Sequence, residues 1–292
     1  FLILSAVPFC LAEDESGFDP QITLCKNSGA VITGTEVMTA SCDSELVTVE
    51  SAGDTVTVTA NDGAVGIAKV TVNALEGFEN TLSDSELNNA DLYGDTSDGG
   101  DGTNAAYAES AVIKGKVSAN ITLTGKGVLN LNCAAKNAIK LGTSGVLTIE
   151  SLTLNIVSAN HGISCDNIIN INSGSINITA SGDGISTDPD AVSVEDGTAA
   201  QIYINGGSIT INAGGDGIQS AQDITITDGS FDITTGTGYD DESFNSDTDS
   251  RKGIKASFSS DEDADTEDST NSITVSGGSF VLNTADDSIN SD

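Results

Sequence analysis

The chain has 292 residues, of which 37% are hydrophobic, and carries 44 Asp and Glu against 10 Lys and Arg, a formal net charge of −34. So acidic a surface repels nucleic acid and anionic membranes, because the cations that displace phosphate counterions are scarce. The hydrophobic residues recur in strict alternation, which predicts a folded chain with a few acidic loops rather than a disordered one.

The first residues predict export. Residues 1–12 form a short apolar run followed at once by Glu13-Asp14-Glu15, the pattern found at the end of a signal peptide. No other segment approaches the roughly 20 apolar residues that a transmembrane helix needs. We therefore expect a protein that is secreted or held at the cell surface, without insertion into a membrane.

A block of the form apolar-x-apolar-x-x-Gly-Ser-apolar-x-apolar recurs along the chain. Its copies begin at Ile169, Ile202, Ile224 and Ile273, and a looser copy is formed by Leu147, Ile149, Leu152 and Leu154. Alternation with a period of two predicts strands buried on one face, and the Gly-Ser between them predicts a bend. Two of the steps, from Leu147 to Ile169 and from Ile202 to Ile224, are 22 residues long.

This repeat predicts an all-β fold, a single-stranded parallel β-helix with coils of about 22 residues. A β-sandwich has no reason to repeat one corner motif at that step, and an RTX-type calcium roll repeats about every nine residues. Residues 13–112 are expected to form irregular N-terminal coils that cap the solenoid, and residues 113–292 its regular coils. Acidic insertions at 94–104 and 236–272 are expected to be long exposed loops.

A second short motif, X-Gly-Ile or a near relative, follows the strand pairs. Its copies are Asn137-Ala138-Ile139, His161-Gly162-Ile163, Asp183-Gly184-Ile185, Asp216-Gly217-Ile218, Lys252-Gly253-Ile254 and Asp287-Ser288-Ile289. If each isoleucine points into the core, the residues two before it form a column, with coils about 4.8 Å apart. Asp183 and Asp216 would then stack, and repulsion between their carboxylates favours a cation between them.

Calcium is the expected cation, since it takes about six to eight oxygen ligands from carboxylates, carbonyls and water. The candidate ligands are Asp183, Asp188, Asp190, Asp216, Asp240, Asp241, Asp286 and Asp287. The alternative for each is that Asp-Gly is turn chemistry, with the carboxylate capping a backbone amide. For Lys252 the default is a surface ion pair with Asp216 and Asp287.

The cysteines that remain after residue 12 are even in number, which permits two disulfides in an exported protein. Proximity favours the pairs Cys25–Cys42 and Cys133–Cys165. Buried thiols are the alternative.

Several motifs occur in an order that resembles a known family. They are Glu79-Asn80-Thr81-Leu82-Ser83-Asp84, His161-Gly162-Ile163, Asp183-Gly184-Ile185, Gly215-Asp216-Gly217-Ile218, Lys252-Gly253-Ile254-Lys255 and Asp286-Asp287-Ser288-Ile289. Over residues 22–292 the chain resembles the secreted carbohydrate-binding β-helix family of the clostridial cellulose- and polygalacturonate-binding type. The resemblance implies a right-handed parallel β-helix with pectate-lyase-like architecture, bound Ca²⁺, and polysaccharide binding without cleavage.

Three functions remain open at this point. The favoured one is Ca²⁺-dependent binding of an acidic or plant cell-wall polysaccharide, with His161, Asp183, Asp216, Lys252 and Lys255 as the candidate sugar-binding residues. The second is a structural subunit of a surface, matrix or filament assembly that associates end to end. The third is a Ca²⁺-dependent lyase, whose base would be Lys136, Lys140, Arg251, Lys252 or Lys255; the single histidine, His161, has no evident triad partner.

Overall fold

The computed structural model describes residues 21–24, 47–52, 55–60, 69–74, 76–77, 79–83, 111–116, 120–134, 136–142, 145–187, 200–257 and 271–291. Within these ranges the chain forms 24 β-strands and no helix. The strands belong to three sheets, and each complete coil contributes one strand to each sheet.

The eight-stranded sheet consists, in spatial order, of β1 (Gln21–Leu24), β4 (Lys69–Ala74), β7 (Asn120–Gly125), β10 (Val146–Ile149), β13 (Ile168–Ile171), β16 (Gln201–Ile204), β19 (Ile224–Ile226) and β22 (Ile273–Val275). The seven-stranded sheet consists of β5 (Glu79–Ser83), β8 (Val128–Cys133), β11 (Thr153–Ser158), β14 (Ser175–Ala180), β17 (Ser208–Ala213), β20 (Ser230–Thr235) and β23 (Ser279–Asn283). The nine-stranded sheet consists of β2 (Val47–Ala52), β3 (Thr55–Ala60), β6 (Ala111–Lys116), β9 (Asn137–Leu141), β12 (Ile163–Cys165), β15 (Ile185–Ser186), β18 (Ile218–Ser220), β21 (Ile254–Ala256) and β24 (Ile289–Ser291).

This order confirms the predicted parallel β-helix. The strand after each crossover returns to the same sheet beside its predecessor, and the paired strands run parallel, as in β10–β13 and β11–β14. The exception among the described strands is the antiparallel pair β2–β3. Two strands in the predicted N-terminal cap, β4 and β5, already pair in parallel with β7 and β8.

The core is a set of aliphatic columns that run through the coils. In one column Leu147, Ile169, Ile202 and Ile224 lie in register, and each is 0% exposed. Burial of each such side chain contributes about 1.5–3 kcal/mol. The 22-residue steps are confirmed, and the 33-residue step from Ile169 to Ile202 carries an insertion.

The predicted Gly-Ser bends are also present. Gly174, Gly207 and Gly229 have φ values of 111°, 104° and 134°, a region that favours glycine. The second strand of the looser copy, predicted at Leu152 and Leu154, lies two residues later, because Leu154 and Ile156 pair with Ile176 and Ile178. Leu152 instead lies at the bend itself, where it is 1% exposed.

The glycine of the X-Gly-Ile motif has a different role, which is to let successive coils approach closely. A Cβ on Gly184 would lie 2.6 Å from the carbonyl oxygen of Gly217 and 2.5 Å from Cγ2 of Ile211. We expect Gly184→Ala to lower the free energy of unfolding by about 2 kcal/mol in urea denaturation, because neither the backbone nor the core has room to move. Gly206→Ala is the control, since its nearest neighbour would lie 3.2 Å away, and equal losses in both variants would contradict the steric explanation.

Candidate functional site

The X-Gly-Ile motifs align along one edge of the nine-stranded sheet, as the sequence predicts. Ile139, Ile163, Ile185, Ile218 and Ile254 are paired in register from coil to coil. The residues two before them form a column, which we call the corner ladder. It consists of Asn137, His161, Asp183, Asp216 and Lys252.

The corner ladder is held together by side chain to main chain hydrogen bonds. The amide of His161 donates to Asn137 Oδ1 (3.1 Å), and the amide of Asp183 donates to His161 Nδ1 (3.0 Å). The amide of Asp216 then donates to Asp183 Oδ1 (2.7 Å), and that of Lys252 to Asp216 Oδ1 (2.6 Å). Each side chain therefore caps the next coil, which is the turn-chemistry alternative for the aspartates.

Asp216 is the most buried member of the ladder, with its side chain 2% exposed. Burial raises the pKa of its carboxyl above the ordinary value, although the amide of Lys252 and the charge of Lys255 act in the opposite direction. Ser250 Oγ donates to both carboxylate oxygens, and Lys255 Nζ lies 3.5 Å from Oδ2. The carboxylate thus has a full set of donors from this chain.

Lys252 closes the ladder with an ion pair. Its Nζ lies 2.5 Å from Asp286 Oδ2 and 3.7 Å from Asp287 Oδ2. Burial lowers the pKa of this ammonium, but the Asp286 carboxylate outweighs it and the net pKa of Lys252 is raised. The pKa of Asp286 is lowered, because the hydrogen bond from Lys252 outweighs the cost of burial.

The segment from Gly236 to Arg251, predicted as an exposed loop, consists of hydrogen-bonded turns. Asp241 lies at its centre, with its side chain 3% exposed, and accepts hydrogen bonds from Ser243 Oγ, from the amides of Ser243 and Thr237, and from Arg251 Nη1. The Ser243 hydroxyl, followed by these amides and Arg251, holds the pKa of Asp241 well below its usual range. Asp240 beside it is exposed.

These carboxylates do not fit a shared calcium site. The oxygens of Asp183 and Asp216 cap amides, and Asp241 and Asp286 are paired with Arg251 and Lys252. Across the described ranges, no group of three or more His, Cys, Asp or Glu side chains is arranged to hold a metal ion. Of the remaining candidate ligands, Asp240 and Asp287 are exposed, and Asp188 and Asp190 lie outside the described residues.

A second column, which the sequence analysis missed, runs beside the ladder on the outer face of the nine-stranded sheet. We call it the outward column; its members are Lys114, Lys140, Ser164, Ser186, Gln219, Lys255 and Asn290, each paired with the next. Its first four residues are 2–8% exposed although they point away from the core. The sequence shows that the members of this column follow core residues of their strands. Alternation predicts from this only that their side chains face outward, and does not predict that they are buried.

The outward column contains a buried ion pair. Lys140 Nζ lies 2.5 Å from Asp166 Oδ1 and 3.2 Å from Ser164 Oγ, and the two charged side chains are 10% and 4% exposed. Towards the C-terminal end the column becomes accessible, because Gln219, Lys255 and Asn290 are half-buried.

The predicted Cys133–Cys165 disulfide is wrong in this structure. Cys165 has a free thiol, because it ends β12 in the nine-stranded sheet whereas Cys133 ends β8 in the seven-stranded sheet. Cys165 points into the core at 0% exposure, and burial raises the pKa of its thiol to about 12. The pair Cys25–Cys42 lies outside the described residues.

Comparison with known proteins agrees with this architecture. A solved structure described as the polysaccharide lyase-like protein from C. thermocellum, in a gadolinium derivative, superposes with a TM-score of 0.52 at 16% identity, over 90% of this chain and 100% of that chain. At that identity the likeness shows the fold alone. No curated protein matches the chain, and none of its described segments is a helix long and apolar enough to cross a membrane.

The family is shown by a match that covers most of the chain. The profile described as "Carbohydrate-binding domain-containing protein" matches residues 26–292, which include every described strand except β1. The chain therefore belongs to the family of carbohydrate-binding domain-containing proteins.

Proposed function

We propose that the protein binds an acidic, uronate-rich polysaccharide outside the cell, on the nine-stranded sheet, and does not cleave it. The observation that supports this is the distribution of its few cations. Seven of the ten Lys and Arg residues lie on strands of this sheet or directly before them: Lys114, Lys116, Lys136, Lys140, Arg251, Lys252 and Lys255. In a chain with a net charge of −34, this face therefore holds most of the cations that attract a polyanion.

The accessible part of that face combines charge with sugar-binding groups. Lys252 and Lys255, each with a side chain 16% exposed, supply ammonium groups for a uronate carboxylate. Gln219 and Asn290 flank Lys255 in the outward column, and their half-buried amide side chains supply hydrogen-bonding groups for sugar hydroxyls.

His161 adds a donor to the same edge. Its Nδ1 is in contact with Asp183, whose amide donates to it, and Nε2 is the ring nitrogen left for a ligand. The side chain is 31% exposed, so a ligand can reach it.

Four of these cations are poorly suited to cleavage. Lyase chemistry on a uronate needs a base that removes a proton, and an ammonium whose pKa is raised stays protonated. Lys252 has a raised pKa beside Asp286, and Lys140, Arg251 and Lys255 all lie within 3.5 Å of a carboxylate oxygen. This pairing supports a binding protein rather than an enzyme.

Calcium dependence remains part of the proposal, without ligands among the described residues. Asp188 and Asp190 follow β15 closely in the sequence and are the candidate ligands that lie outside the described residues. A comparison of polysaccharide binding with and without EDTA tests this independently of the lysines.

The test is calorimetric titration of the chain with polygalacturonate. We expect binding by the unmodified chain and about tenfold weaker binding by Lys255→Met, because one ammonium is removed from the face. Lys126→Met is the matched control, since Lys126 lies between β7 and β8 and its side chain is 73% exposed.

Three results would contradict the proposal. They are no binding by the unmodified chain, an equal loss in both lysine variants, and release of unsaturated uronides, which absorb in the ultraviolet. Circular dichroism melting of each variant verifies that Lys255→Met is still folded.

A further inference from the structure

The outer face of the seven-stranded sheet is nearly uncharged, although the protein as a whole is strongly acidic. From β11 to β23 its strands present three outward residues each, in unbroken register. These fifteen positions are Thr153, Asn155, Val157, Ser175, Asn177, Thr179, Ser208, Thr210, Asn212, Ser230, Asp232, Thr234, Ser279, Val281 and Asn283. One of the fifteen is charged. This face therefore offers no electrostatic attraction to a polyanion and no desolvation of charge that would disfavour a neutral ligand.

One exposed aromatic side chain lies at the end of this face. Tyr239 is 83% exposed, and its amide donates to Asn283 Oδ1 at 3.1 Å. Val281, two residues before Asn283 on the same strand, is 63% exposed. An exposed tyrosine whose backbone is bonded to Asn283, and an exposed valine on the strand of Asn283, combine apolar surface with hydrogen-bonding groups, which is what the face and edge of a pyranose ring require.

The turn that carries Tyr239 is fixed from both sides. Gly238 has φ +93°, and a Cβ there would lie 2.4 Å from the amide nitrogen of Asn283, so the turn packs directly on the sheet. On the other side Asp241 binds the amide of Thr237 and the guanidinium of Arg251. Exposure of Tyr239 is therefore a property of an ordered turn, which lowers the entropic cost of stacking a ligand on it.

We propose that Tyr239, Val281 and Asn283 form a second carbohydrate site, which stacks one sugar ring of a neutral polysaccharide and directs the chain along the outer face of the seven-stranded sheet. Neighbouring strands are about 4.8 Å apart and outward residues about 6.8 Å apart along each strand, so hydroxyl and amide groups are available to successive sugars. The site rests on carbohydrate binding by this family, but it is separate from the uronate face and uses none of its residues.

The test is affinity electrophoresis of the full chain in gels with mixed-linkage β-glucan or galactomannan. We expect both or one of these neutral polymers to retard the protein, Tyr239→Ala to weaken the retardation about tenfold, and Tyr239→Phe to preserve it, because the ring does the binding. Tyr203→Ala is the matched control, since Tyr203 faces outward on the eight-stranded sheet.

Different results would contradict the two proposed sites. A lack of retardation by both neutral polymers, or equal retardation of the Tyr239→Ala variant and the unmodified chain, overturns the second site. Loss of polygalacturonate binding in Lys255→Met with neutral binding intact supports two sites, whereas loss of both ligands in Tyr239→Ala assigns them to a single site and also overturns this proposal.

Discussion

Replacing Phe231 by Ala is expected to lower the free energy of unfolding by about 4 kcal/mol. Phe231 is 1% exposed and is the largest fully buried side chain among the described residues. Its ring stacks on that of Phe280 in the next coil, with centroids 4.6 Å apart and planes 4° from parallel. Alanine would leave a cavity in the core. The three parallel sheets around the core hold the backbone in place, so the cavity can close only slightly.

Chemical denaturation monitored by circular dichroism measures this loss. Val281→Ala is the control, since Val281 lies on the same sheet, one strand away, and is 63% exposed. We expect Val281→Ala to change the free energy of unfolding by less than about 0.5 kcal/mol. Similar effects from both substitutions would mean that the stacked pair does not stabilise the C-terminal coils.

The second large effect is expected from Lys140→Ala, at about 3 kcal/mol of lost stability. Removal of the ammonium leaves the Asp166 carboxylate, 4% exposed, without the cation that lies 2.5 Å from it. A buried carboxylate that loses its cation costs more than the pair contributes, so most of the loss reflects the carboxylate that remains.

A double variant distinguishes this explanation from a loss of packing. Lys140→Met combined with Asp166→Leu should recover most of the stability, because two apolar side chains of similar volume replace both charges. Lys126→Ala is the control for an exposed pair, since Lys126 Nζ lies 3.9 Å from Glu76 with side chains 73% and 76% exposed, and it should change stability by at most about 0.5 kcal/mol. A double variant as unstable as Lys140→Ala would contradict the electrostatic argument.

The fold could be predicted because every coil of a solenoid repeats the same pattern of apolar residues in the sequence. Strands such as β13 and β14 have one buried face and recur at a coil's length, so alternation and step together indicate the architecture. The second strand of the looser copy shows what alternation cannot predict, which is the exact register of a strand next to a bend. Leu152 is as apolar as Leu154, and the register that separates the bend from the strand is set by the neighbouring coil.

The candidate site could be predicted only as a column of residues. The repeat places Asp183 and Asp216 one coil apart, but a carboxylate at a corner either binds a cation with its neighbour or caps the next amide. That choice depends on the distance between the side chain and the adjacent main chain, 2.7 Å in this case. The pair Lys140–Asp166 joins two coils through residues 26 apart in the chain, and composition gives no sign of it.

The corner ladder limits how the length of this protein can change. Each coil satisfies an amide of the following coil with its own side chain, from Asn137 to Asp216, and Lys252, which has no acceptor, ends the series. Duplication or loss of a whole coil keeps every donor matched with an acceptor, whereas a shift of part of a coil breaks the match. Growth is therefore expected in units of about 22 residues or as insertions after a strand, such as that between Thr187 and Ala200, and a designed variant with one added coil should place Asn, Asp or His at the corner.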